Sequence, residues 1–202
     1  MELTAKRQLD VSQLPTVVFG PRSMIWVGNI LYMTIEGTVA IMLFVSYFYL
    51  RTRTPDWPSG LPDPDLTWGT LNGAVLVLSL LPAWYVKRRA RAGDLQGTQR
   101  GLLLMLFFAV VSVILRVFEF PGLNCRWDEN AYASISWAIL GNHTIHLVTD
   151  LLDTAALTVF AFSSRMEGNG FMDIYENSDY WYFVVGMGLL SGLVLYAAPR
   201  LL

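Results

Sequence analysis

His143, His146, Asp150 and Asp153 follow one another at intervals of three, four and three residues within a long apolar stretch. On a helix that spacing places all four on one face, with Thr149 and Thr154 flanking it. A face this polar must meet other helices or water rather than lipid, because an ionisable group in hydrocarbon is costly. Imidazoles and carboxylates so arranged can hydrogen-bond between helices or to a lipid headgroup, relay protons, or ligate a metal. Arg116 and Glu119, three apart in the preceding apolar stretch, add a guanidinium and a carboxylate. If those two helices are antiparallel neighbours, the pair and the histidine-aspartate stripe fall at similar depths. Arg116, Glu119 and His143 then form a hydrogen-bonded cluster, and Arg116 and His143 become the candidates for holding a lipid headgroup.

Glu36 is the single ionisable residue of the first apolar stretch. It lies about 18 Å of helix rise from the start of that stretch, near its middle. Two readings begin from that placement: a structural carboxyl hydrogen-bonded to a neighbouring helix, or a proton-accessible group beside a pathway. Glu36, Arg116, Glu119, His143, His146, Asp150 and Asp153 together are the candidate proton-pathway or interhelical polar residues.

Ligand counting tests the metal reading. Haem-copper redox chemistry draws several histidines from different helices, and a thiolate-bridged copper pair needs more than one cysteine. This chain has two histidines in all, on one helix face, and one cysteine, Cys125. A di-iron bundle would use Glu-x-x-His pairs from two helices, and no such pair occurs. No metal site, and no redox cofactor of the chain's own, is expected. Gly186 and Gly188 form a Gly-x-Gly inside an apolar stretch, which reads as close helix packing rather than nucleotide binding. The sequon Asn142-His143-Thr144 falls within a membrane window and is read as accidental.

Five windows position these residues: Met24 to Leu50, Trp68 to Val86, Gly101 to Phe120, Tyr132 to Phe162 and Trp181 to Ala198. Each has about the 20 residues that a helix needs to cross a bilayer. Pro82 should kink the second. The 202-residue chain is 54% hydrophobic and 15% charged, with a mean hydropathy of +0.44. Soluble domains carry roughly 25% charged residues, so lipid is the expected solvent. In lipid the backbone must satisfy itself, which favours helices, and no alternating pattern suggests a barrel. The predicted fold is all-α, a bundle of five transmembrane helices over 24–202 behind a cytoplasmic N-terminal segment, 1–23. A net charge of −2 offers no basic excess for nucleic acid.

The run Lys87-Arg88-Arg89-Ala90-Arg91 after the second window should face the cytoplasm. Parity then places the N-terminus inside and the C-terminus outside. The stretch Arg165 to Asp179 becomes a mostly acidic cytoplasmic loop. Rings near the window ends, among them Tyr47, Tyr49, Trp84, Trp127, Tyr132, Tyr180 and Trp181, suit the headgroup level.

Several strings, in order, resemble one family. Glu36 with Tyr47-Phe48-Tyr49-Leu50-Arg51 eleven residues on is similar to the glutamate and "YFYLR" of cytochrome c oxidase subunit III. Leu71-Asn72 resembles its "LN". Gly141-Asn142-His143-Thr144-Ile145-His146-Leu147 is similar to its "GFHGLHV", and Tyr180-Trp181-Tyr182-Phe183-Val184 to its "YWHFV". The resemblance runs from about Met24 to the end and implies a short form, equivalent to the last five helices of seven-helix members. It implies a non-catalytic accessory subunit of a haem-copper terminal oxidase that supports assembly, stability and proton uptake in aerobic respiration. The partners implied are the catalytic subunit I, subunit II and membrane lipid. Haem and copper would lie in the partners, phospholipid would be bound, and the location would be a bacterial cytoplasmic membrane. Small residues Gly37, Thr38 and Ala40 would let the first helix dock closely. Glu36 corresponds to the family's buried glutamate, and His143 and His146 to its paired histidines. Tyr182 and Val185 replace a His and an Asp of the family's last helix, and Asp150 and Asp153 are extra carboxylates. Such departures leave two other readings: a subunit III-like protein of a nitric oxide reductase system, or a small proton or ion transporter. An intramembrane metalloenzyme is the third.

Overall fold

The computed structural model describes residues 18–58, 60–163, 166 and 168–201. The predicted N-terminal segment therefore lies, up to residue 17, outside the described residues. Five helices are long and apolar enough to cross a membrane, and no strand occurs among the described residues. They are α1 (Met24–Arg53), α2 (Leu66–Arg91), α3 (Leu95–Glu119), α4 (Ala131–Phe162) and α5 (Gly168–Gly192). A π-helical turn, Leu193–Ala197, and α6 (Ala198–Leu201) continue α5, so the fifth span runs over Asn169–Leu201. The chain is a multi-pass all-α membrane protein.

Side-chain caps start the first four helices. Ser23, Asp65, Asp94 and Asn130 accept from the backbone N–H groups of Ile25, Thr67, Gly97 and Ala133, satisfying donors that the first turn leaves free. Asp65 takes both the N–H and the hydroxyl of Thr67 at 2.9 Å, which holds its carboxyl below the usual range. Gly93, at φ 68°, makes the tight turn from α2 to α3. Within the spans, the Thr34, Thr38, Ser46 and Thr144 hydroxyls donate to carbonyls four residues back, which satisfies these four without water.

α2 packs on α3 and α5, α4 joins α3 to α5, and α1 lies against α4 and α5. One end carries the basic turn after α2 and is called the basic end. There Lys87 pairs with Asp179 and sits 4.5 Å over the Tyr175 ring. At the opposite end Trp57 donates to the Tyr47 hydroxyl at 3.0 Å, and its ring meets the Tyr47 and Tyr132 rings at 5.2 and 5.1 Å.

Four expectations change. The fifth helix begins at Gly168, thirteen residues before the predicted Trp181, so 168–179 is helix and not loop; Arg165 lies outside the described residues. Asp173, Glu176, Asn177 and Tyr180 sit at helical spacing and form a polar stripe, so the acidic composition concealed a helix face. Tyr47, Tyr132, Tyr180 and Trp181 are buried between helices, whereas Tyr49, Trp84 and Trp127 are exposed as interface rings would be. Gly37 and Ala40 turn inward, Gly37 toward the Phe183 ring, so only Thr38 of the three small residues is offered to a partner. Gly188 does mark a close approach: a Cβ there would lie 2.7 Å from His143 Nε2. One on Gly186 would meet nothing within 4 Å.

Candidate functional site

The polar residues divide between two networks. The first joins α2, α3, α4, α5 and the π turn, on the side toward the opposite end. Arg116 reaches Glu119 Oε2 with Nη1 at 2.8 Å and His143 Nδ1 with Nη2 at 2.6 Å. A guanidinium only donates, so His143 Nδ1 accepts, and Nε2–H donates to the Val184 carbonyl at 3.0 Å. Glu119 also accepts from Asn72 Nδ2 at 2.9 Å and from the Tyr196 hydroxyl at 2.7 Å. Ser112 donates to Asn72 Oδ1 at 2.5 Å. All six side chains are buried.

The second network joins α1, α4 and α5. Glu36 takes a hydrogen bond from the Tyr180 hydroxyl at 2.8 Å on Oε2 and pairs with His146 Nδ1 at 3.0 Å on Oε1. Toward the basic end, Asp150 is buried, with Thr154 Oγ1 at 3.5 Å as its side-chain partner. Thr154 in turn accepts from Asn177 Nδ2 at 2.9 Å. Asn29 Nδ2 donates to the Glu176 carbonyl at 3.0 Å and reaches its carboxylate at 3.4 Å. Asp153 and Asp173 are exposed.

The stripe on α4 is therefore not one site. His143 alone meets Arg116 and Glu119, because the ten residues from His143 to Asp153 rise about 15 Å and carry the aspartates toward the basic end. His146 turns to Glu36 instead. Asn72, Tyr196, Glu176 and Asn177 belong to these networks but were not among the sequence candidates. Of these, Asn72, an amide inside a membrane window, carried the clearest signal.

Each network borders a groove. The first groove, about 740 Å³, runs between α2 and the fifth span past Gly69, Gly73, Gly188 and Gly192, with Arg116, Asn72 and Tyr196 in its wall. The second, about 680 Å³, lies between α1, α4 and α5 and is lined by Asp150, Asp153, Asp173, Glu176, Asn177, Asn29 and the Tyr32 and Tyr180 side chains among others.

Haem or copper does not fit these side chains. Both ring nitrogens of His143 are hydrogen-bonded, His146 is paired with Glu36, and no group of three or more His, Cys, Asp or Glu among the described residues is set to hold a metal ion. What the fold and its side chains define is a polytopic helical membrane protein with buried interhelical polar networks.

No protein-family model matches the chain. It is 23% identical over 174 residues to cytochrome c oxidase subunit 3 of Synechocystis sp., covering 84% of this chain and 73% of that one. Against heme-copper oxidase subunit I+III of Aeropyrum pernix it is 24% identical over 81% of its length, which is 21% of the relative. Against cytochrome c oxidase subunit 3 of Vanderwaltozyma polyspora it is 25% identical over 63% of its length and 50% of the relative. The chain is haem-copper oxidase subunit III-like.

Proposed function

We propose that the chain is the accessory third subunit of a haem-copper terminal oxidase, without redox centres of its own, and that it supports assembly, stability and proton uptake by the complex. Similarity to a cytochrome c oxidase subunit 3 along 84% of the chain carries this reading. The Aeropyrum pernix relative, named for subunits I and III together, supports docking beside a catalytic subunit I. α1, the least buried span, offers a broad apolar face with Ile35, Met42 and Val45 exposed for that contact. Haem and copper then lie in the partners, the membrane is a bacterial cytoplasmic one, and the basic turn faces inward with the C-terminus outside. Membrane lipid occupies the glycine-lined groove; of the two headgroup candidates Arg116 lies in its wall, whereas His143 is buried behind it with both ring nitrogens bonded.

Copurification in mild detergent tests the reading. The chain is expected to bring down haem-bearing subunits, shown by their absorbance; isolation without haem in its complex would remove the proposal. Within the assembled complex, Glu36→Gln is expected to leave the haem spectrum intact and slow turnover. The contiguous Tyr180–Glu36–His146 hydrogen bonds favour one second reading, a small proton or ion transporter. Proton movement by the purified chain alone in liposomes would establish it.

A further inference from the structure

Three residues that line the α1–α4–α5 groove each carry a buried oxygen with no hydrogen-bond partner among the described residues: Asp150 Oδ1, Glu176 Oε1 and Asn177 Oδ1. The three residues are 1%, 4% and 5% exposed. Each of the three atoms is an acceptor when the carboxyls are ionised, and leaving such atoms without a donor in a low-dielectric wall is costly. No basic side chain lines the groove; Lys87, at the same end of the bundle, is taken up by Asp179 and Tyr175. The Tyr32 and Tyr180 rings, 5.6 Å apart between centroids, line the same groove. The groove therefore presents acceptors, negative charge and aromatic faces together, and calls for a compact cationic donor.

We infer that this groove is a binding site for a primary ammonium group. An ammonium brings several N–H donors on one positive centre, which suits a groove lined by residues with uncovered acceptors, and its charge is also attracted to aromatic faces. A hard metal ion is the poorer occupant, because calcium wants six to eight oxygen ligands at about 2.3–2.6 Å. Among the described residues no group of three or more His, Cys, Asp or Glu is arranged to hold one. The groove begins in the first turn of α1, at Ile25, and the second turn of α5, at Asp173, and so opens near the headgroup depth of one leaflet. Either an aminophospholipid headgroup or a soluble small amine can supply the ammonium.

Native mass spectrometry of the full chain in detergent separates these cases. Phosphatidylethanolamine and phosphatidylcholine with identical acyl chains are titrated in parallel, the second carrying the same charge without N–H donors. The ethanolamine lipid is expected to bind about tenfold more tightly, as charged hydrogen bonds of ordinary strength imply. Glu176→Gln and Asp150→Asn should each reduce that preference severalfold, while Glu129→Gln, in the connection before α4, should not. Helix content and unfolding temperature are checked in each variant. Ethylammonium chloride that displaces the ethanolamine lipid identifies the free amine as sufficient; lipid retained against it identifies the headgroup as the occupant. Equal binding of the two lipids would overturn the inference, as would an unchanged preference in both groove variants.

Discussion

The Arg116 network and the Glu36–Asp150 region use the same kinds of side chain in the same bundle, yet they are completed to different degrees. Around Arg116, both Glu119 oxygens, both His143 nitrogens and the Asn72 amide find partners, and Arg116 Nε is the atom left over. Around Asp150, four atoms on four residues are left over: Asp150 Oδ1, Glu176 Oε1, Asn177 Oδ1 and His146 Nε2. The first arrangement has little capacity to take up anything further and fixes four helices and the π turn relative to one another. The second leaves acceptors without partners, three of them on residues that line a groove. Completion marks the scaffold and incompletion marks the place to look for chemistry.

Removing a member of the completed network should give the largest loss. Arg116→Leu leaves Glu119 without its ionic partner, and truncating one side of a buried pair costs about 3 kcal/mol or more. Thermal unfolding in detergent should show it as a clear drop. Gly188→Ala attacks the same network sterically, since the new Cβ would fall 2.7 Å from His143 Nε2 and 3.0 Å from Leu76 Cδ1. Overpacking of this kind costs about 1–3 kcal/mol, whereas Gly186→Ala, into open space, should leave unfolding unchanged; equal effects from the two would refute the packing assignment. In the incomplete region Asp150→Asn should alter unfolding by less than about 1 kcal/mol, because Asp150 makes one long hydrogen bond, to Thr154 on its own helix, and even interhelical hydrogen bonds in membrane bundles average about 0.6 kcal/mol. A loss as large as that of Arg116→Leu would erase the distinction between the two regions.

The smallest effect is kinetic. Cys125, in the connection beside the Arg116 end, is partly covered, and burial raises its thiol above the usual range. A raised thiol holds less thiolate at pH 8, so alkylation should run slower than at an unfolded cysteine and recover as the pH is increased. Mass-shift assays before and after denaturation in detergent measure this directly. In Arg116→Leu the native rate should move toward the denatured one.

Hydropathy made four of the five helices legible to within a few residues at most ends, because the bilayer requires length and apolarity and little else. It failed at the start of α5, where Asp173, Glu176 and Asn177 face a groove inside the protein and mimic a solvated loop. Types and spacing showed which residues are polar in the wrong solvent, Glu36 and His143 among them. They did not show pairings, since those depend on helix rotation and neighbour order, which a single strand of sequence does not encode locally. Tyr180 and Tyr196 illustrate the gap: each looks like an interface ring or packing residue, and each turns its hydroxyl onto a buried carboxylate.

The π turn at Leu193–Ala197 sets the azimuth of everything after it. Its wider loop adds a residue relative to an α-helix, and the chain beyond emerges rotated. Winding the same residues as an uninterrupted α-helix would swing Arg200 by up to roughly 100°, and Tyr196, inside the turn, by less. Tyr196 would then leave Glu119, and Arg200 would leave the Pro64 carbonyl that it now reaches at 2.5 Å. A change that closes the wide turn, harmless by any hydropathy count, would thus unlatch the C-terminus from both the buried carboxylate and the loop before α2.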